Sequence, residues 1–252
     1  MAVPVLTPRF LDAGECALVV EYGTTIDPRL NEAVLALDAA LTDHPRDGII
    51  ECVPTYRSLM IHYDPFTISR SELIAHVTAR RTGGAASRPR RLWTLPACYD
   101  EEFGEDLGFV AERQKLTKAD VIRLHSTARY RIYMFGFAPG LAYLGGGPPE
   151  LSIPRRTSPR DYVPANSLII AGGQAVVFTV AMPSGWHILG RTPERLFAPE
   201  RNPVFLGAPG DEMTFEPVDR AAYEALRLRA IAGEVLGRVE DIAPIRREGR
   251  VA

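Results

Sequence analysis

The sequence predicts an α+β chain of two domains: a ferredoxin-like α/β sandwich over residues 1–84, then a β-barrel or sandwich with a closing helix over residues 90–240. Three observations predict it. Apolar residues over the first eighty positions follow the order β-α-β-β-α. The run Thr82-Gly83-Gly84-Ala85-Ala86-Ser87-Arg88-Pro89 is small, polar and aperiodic, as a linker is. Beyond it, 11 of the 21 glycines and 12 of the 21 prolines fall between positions 136 and 217, where they break short apolar runs. Frequent breaks of that kind suit antiparallel strands and tight turns better than βαβ units.

Each element has its own signal. Residues 17–22 form a short apolar run suited to a buried strand. Leu30, Val34, Leu37 and Leu41 then recur at helical spacing, behind Asp27 as N-cap and Pro28 as first helical residue. Residues 49–53 and 58–63 read as strands joined through Pro54. Ser69-Arg70-Ser71-Glu72 fits a capping box opening a second helix with Leu73, Ile74 and Val77 on one side. In the second half, residues 91–99 read as a strand followed by two short helices, the second capped by Thr117 and ending near His125. Residues 128–135, 167–171, 175–180, 186–189 and 212–215 read as strands. Residues 220–236 read as an amphipathic helix.

Composition bounds the function. The formal net charge of −2 supplies no field for nucleic acid or an acidic membrane surface. No apolar run is long enough to span a bilayer, and the first ten residues lack a signal-peptide pattern, so a cytoplasmic setting is expected. Cys16, Cys52 and Cys98 are widely spaced, which predicts free thiols and no structural metal site. Walker A, G-x-S-x-G and H-E-x-x-H patterns are all missing from the sequence, which disfavours a self-contained hydrolase.

The chemistry-bearing candidates sit on glycine- and proline-rich segments. Phe135-Gly136-Phe137-Ala138-Pro139-Gly140-Leu141-Ala142-Tyr143 is answered by Gly185-Trp186-His187-Ile188-Leu189-Gly190-Arg191-Thr192. Such backbone shapes either a cavity or a barrel with many tight turns. His125 stands at a predicted helix C-terminus, where the dipole favours imidazolium; it is the acid–base candidate or a helix cap. Arg155, Arg156 and Arg160 cluster around Pro154 and Pro159, aimed at a carboxylate or phosphate or simply solvated. Gln174 follows Gly172-Gly173, and Arg191-Thr192 follow Gly190, two further places for donors to converge on an anion. Trp186 and Tyr143 read as wall or core.

Gly136-Phe137-Ala138-Pro139-Gly140, Pro154-Arg155, Ser158-Pro159-Arg160, Ala171-Gly172-Gly173-Gln174, Gly190-Arg191-Thr192-Pro193 and Gly210-Asp211 resemble the family of the 5-oxoprolinase B subunit. That family includes the kinase inhibitor KipI and subunit 1 of allophanate hydrolase. Val53-Pro54-Thr55-Tyr56-Arg57-Ser58-Leu59, Pro96-Ala97-Cys98-Tyr99 and Gly104-Glu105-Asp106-Leu107 extend the resemblance into both halves. Asn166 stands where the family usually has Gly, a change that left-handed backbone tolerates.

The resemblance implies a cyclophilin-like β-barrel as the second domain and a carboxyltransferase-related partner, the C subunit of 5-oxoprolinase. Together with the A subunit, such proteins open 5-oxo-L-proline to L-glutamate using ATP as co-substrate. The alternatives are a KipI-like inhibitor of a sensor histidine kinase, favoured by an exposed apolar groove, and an allophanate hydrolase or urea carboxylase-type subunit. For the lactam reaction, His125 is the expected acid–base group. Pro139, Gly140, Tyr143, Arg155, Arg160, Gln174, Arg191 and Thr192 are the expected substrate or nucleotide contacts. Arg160, Gln174, Arg191 and His125 are expected to meet in one cavity walled by Tyr143 and the Pro139-Gly140 turn.

Overall fold

The computed structural model describes residues 7–80 and 89–242. The expected linker at residues 82–89 lies outside them except for Pro89. Two compact units are present, one ending at Pro89 and one spanning Arg90–Ile242.

The first unit begins with β1 (Arg9–Asp12) and β2 (Ala17–Glu21), then α1 (Pro28–Asp43), β3 (Ile49–Pro54), β4 (Ser58–Tyr63) and α2 (Arg70–Arg80). Its sheet order is β1-β2-β4-β3, with every neighbouring pair antiparallel. Strands β2 and β3 therefore run parallel with a gap between them, and β4 fills it. Asp27 caps α1 by accepting the Arg29 N–H at 2.7 Å, with Pro28 behind it. The α2 capping box forms as expected: Ser69 N–H donates to Glu72 at 2.9 Å and Glu72 N–H to Ser69 Oγ at 3.3 Å. Val34, Leu37 and Leu41 of α1, with Leu73 and Val77 of α2, close over Leu18, Val20, Leu59 and Ile61. Strand β1 was not expected, because an exposed four-residue edge strand carries no apolar alternation.

The second unit starts with β5 (Arg90–Ala97), α3 (Leu107–Gln114), α4 (Lys118–Thr127), β6 (Tyr130–Phe135) and β7 (Ala142–Gly145). It continues with β8 (Arg160–Val163), β9 (Ser167–Ala171), β10 (Gln174–Val177), β11 (Met182–Ser184) and β12 (His187–Arg191), then β13 (Glu212–Pro217), α5 (Arg220–Ile231) and β14 (Arg238–Ile242). Eight strands form one mixed sheet ordered β12-β9-β10-β7-β6-β13-β5-β14, while β8 and β11 pair as a separate ribbon. The β5–β13 pair is parallel.

The expected barrel is not closed. Strand β5 pairs with β13 along Leu92–Ala97 on one edge and with β14 along Arg90–Thr94 on the other, and β12 forms no ladder with it. Only Cys98, one residue past β5, reaches the far edge. Its N–H donates to the Arg191 carbonyl at 2.8 Å, and Arg191 N–H donates back at 2.9 Å. One face of the sheet buries Leu95, Ile132, Leu144, Leu168, Ile170 and Phe215. The other face buries Ile169, Val176, Phe178, Trp186 and Ile188, with Val163 of the ribbon. Among the described residues, no helix is long and apolar enough to cross a membrane, and no cluster of three metal-ligating side chains occurs.

Candidate functional site

The segment between β5 and α3 organises the candidate residues. Gly104 sits so close to β12 that a Cβ there would lie 2.4 Å from the Leu189 carbonyl oxygen. This approach brings Asp106, at the start of α3, against the Ile188 backbone. Its N–H donates to the Ile188 carbonyl at 3.0 Å, and its Oδ2 accepts the Ile188 N–H at 2.8 Å. The buried carboxylate then takes a two-pronged fork from Arg160, at 2.6 and 2.9 Å, and one bond from Arg156 at 2.8 Å. Glu105 stands 3.4 Å from Arg160. Burial works against an ionised Asp106, but the Arg160 fork, the Ile188 N–H and the Arg156 charge outweigh it and hold its pKa below the usual carboxylate value.

Backbone bonds fix the arginine loop from both sides. Arg156 N–H donates to Gly185 O at 2.7 Å, and Gly172 N–H donates to Ile153 O at 2.7 Å. The buried His187 donates through Nε2 to the Pro154 carbonyl at 2.9 Å. Arg155 lies with its guanidinium carbon 5.6 Å from the centre of the Trp186 ring. Among the described residues it has no carboxylate partner. Two of the three arginines thus share two carboxylates, and the third, Arg155, is exposed. The arrangement can bind an anion: Asp106 consumes the donors that orient the loop, while Arg155 keeps its planar fork.

The structure joins some expected residues and separates others. Arg160 belongs to this cluster; Gln174 opens β10 just after the Gly172-Gly173 turn, whose Gly172 N–H bonds the Ile153 carbonyl. Arg191 does not join them. Its guanidinium lies 4.8 Å from the centre of Phe103, whose ring also carries Arg220 at 4.6 Å. Thr192 is fully buried, and its hydroxyl accepts the Glu194 N–H at 3.1 Å. Tyr143 is half-buried against the Trp186 face of the sheet, paired across β10 with Val176. Pro139 and Gly140 form a turn held by Thr179, whose hydroxyl donates to Pro139 O at 2.7 Å.

His125 departs furthest from expectation. It has no exposed surface, stacks on Phe215 at 4.8 Å and bonds through Nδ1 with the Tyr99 hydroxyl at 2.8 Å. Burial lowers its pKa to about 3, so the imidazolium expected from the helix dipole does not form near neutrality. Desolvation of a whole ring outweighs a dipole effect of about 1 kcal/mol. Two organising residues, Asp106 and His187, were not among the candidates. Asp106 lies inside the motif Gly104-Glu105-Asp106-Leu107, where the family resemblance was its signal; His187 lies in the glycine-rich run Gly185-Trp186-His187, which carried no signal for its role.

Sequence and structure comparisons give the family of the chain. Residues 8–207 match the family described as carboxyltransferase domain, subdomain C and D. A curated relative from Bacillus subtilis, named as the B subunit of 5-oxoprolinase, is 35% identical over 226 residues, covering 85% of this chain and 94% of its own. One of the same name from Escherichia coli O157:H7 is 32% identical over 81% of this chain and 93% of its own. The crystal structure of TTHA0988 superposes with a TM-score of 0.73 at 33% identity, covering 80% of this chain. This chain spans only 40% of that longer polypeptide. The chain therefore belongs to the carboxyltransferase subdomain C and D family, among relatives named as the B subunit of 5-oxoprolinase.

Proposed function

We propose that this chain is the B subunit of an ATP-dependent complex that opens 5-oxo-L-proline to L-glutamate with companion C and A subunits in the cytoplasm, and that its arginine loop receives an anionic group of the reactants. The two halves are then a ferredoxin-like sandwich and a sheet of cyclophilin-like descent. A five-membered lactam resists water because its amide is resonance-stabilised. Transfer of the ATP γ-phosphoryl group to the lactam oxygen, releasing ADP, makes the carbon electrophilic. Water then opens the C–N bond and phosphate departs, leaving glutamate. This chemistry asks for cationic donors toward a carboxylate and a phosphoryl group. ATP is shared with the companions, since this sequence has no phosphate loop of its own.

The single observation that carries the proposal is the unpaired Arg155 beside an arginine pair already locked by a buried aspartate. A structural clamp needs Arg156 and Arg160 but has no use for a third, uncompensated cation. The test is ATP-dependent glutamate release by the co-expressed subunits. Arg155→Ala is expected to lower kcat/KM about a hundredfold, the scale of a lost charge-assisted contact, with the melting temperature of the chain unchanged. Arg155→Lys recovers little of it, because the ammonium lacks the planar fork. Full activity in Arg155→Ala removes the loop from the site.

A further inference from the structure

Three stretches of the second unit, residues 132–149, 162–190 and 202–210, contain no Asp, Glu, Lys or Arg. Their loops meet. The 136–140 turn is tied to Thr179 through the Pro139 carbonyl, and Gly140 is so close to the next loop that a Cβ there would lie 2.7 Å from Phe197 and 3.3 Å from Phe205. Phe205 stacks on Phe197 at 5.3 Å yet stays 48% exposed, and Val180 is 38% exposed. At the tip stands Phe137, 81% exposed. Its φ is +68°, in the left-handed region that a bulky side chain avoids, and Ala138 N–H closes a three-residue turn onto Gly136 O at 2.8 Å. A turn of that kind is strained. Folding alone does not explain an aromatic ring held in water on strained backbone.

We infer that Phe137, flanked by Val180 and Phe205, is the docking point for the companion carboxyltransferase-related chain, which receives the ring in an apolar pocket; the inference rests on the function proposed above. Depletion of charge around exposed aromatics marks the centre of a protein–protein contact, whereas an anionic ligand or nucleic acid needs free cations; the three stretches have none, and Arg195 in the adjoining Phe197 loop is paired with Glu200. The occupant follows from length. The TTHA0988 polypeptide carries its counterpart of this chain joined to a longer stretch of other chain, and relatives of this chain's own length are named as subunits.

The test measures binding of the full chain to the purified C subunit. Phe137→Ala is expected to weaken affinity at least tenfold without moving the melting temperature of the free chain. Phe137→Gly loses affinity equally but raises that melting temperature by about 2–4 °C, because glycine relieves the left-handed backbone. Wild-type affinity changes less than about twofold between low and high salt, since the three stretches carry no charge and the adjoining Arg195 is neutralised by Glu200. Unaltered affinity in both variants, or a steep salt dependence, overturns the docking point and leaves the proposed function standing. Failure of the wild-type chain to bind the C subunit overturns both.

Discussion

Glu194 shows how one buried side chain can fasten a distant segment. Fully enclosed, its carboxylate accepts from Arg201 at 3.1 Å, from the Arg195 N–H at 2.7 Å, and from the Leu236 and Gly237 N–H groups at 2.6 and 2.8 Å. Every lone pair is engaged, the condition under which a buried charge is tolerated. His125 is buried under the opposite condition, as a neutral base, and that gives a pH prediction. The unfolded chain binds a proton at His125 near pH 6.5, while the folded chain resists until about pH 3. Stability is therefore whole above pH 6.5 and falls as pH drops toward 3, by at most about 1.4 kcal/mol per pH unit from this residue. His76, whose pKa is also lowered by burial, acts in the same sense, so the comparison must be with a variant. Urea unfolding of wild type and His125→Gln between pH 6.5 and 4.5, above the carboxylate range, should show a shallower decline in the variant. Parallel declines would contradict the buried neutral imidazole.

Among the elements, the edge strand β12 is joined to the end of β5 at a single point. It pairs with β9 through a register shift between Ile188 and Gly190, and meets the end of β5 only through the Cys98–Arg191 bridge. Gly190 makes that bridge possible: a Cβ there would lie 2.6 Å from the Cys98 carbonyl oxygen and 3.0 Å from the Tyr99 ring. Backbone cannot yield as a side-chain end can, so Gly190→Ala is expected to push β12 off β5 and destabilise the unit by about 1–3 kcal/mol. Hydrogen exchange should quicken at the Cys98 and Arg191 amides before it does so at β9. Unchanged protection there would mean that the bridge carries no tension. Elements whose signal is local were legible in the sequence. The α1 cap at Asp27, the α2 capping box, the Thr117 cap of α4 and the left-handed turn at Asn166, with φ +64°, all formed as expected. Strands β1 and β14 were not legible, because each is an exposed edge stabilised by its neighbour's backbone rather than by an apolar pattern.

At the scale of the whole molecule, each unit has its own core. Leu18, Val34, Ile61 and Leu73 anchor one, and Leu95, Ile132, Leu168 and Phe215 the other. A fragment of residues 90–242 is accordingly expected to unfold cooperatively by itself, with near-ultraviolet dichroism and a single thermal transition. A fragment lacking both would show that this core depends on the first unit. The sequence by itself determined the mixed α+β class, the helix caps, the family and the membership of Arg155, Arg156 and Arg160 in one short loop. These follow from residue types and spacings that act over a few positions. The tertiary structure decided which cations were already spent. Whether Arg160 faces a ligand or Asp106, and whether His125 sits in water or beneath Phe215, depends on partners some fifty to ninety residues away. It also decided that the sheet stays open, because both edges of β5 are occupied by strands from the far end of the chain, and no local pattern records that competition.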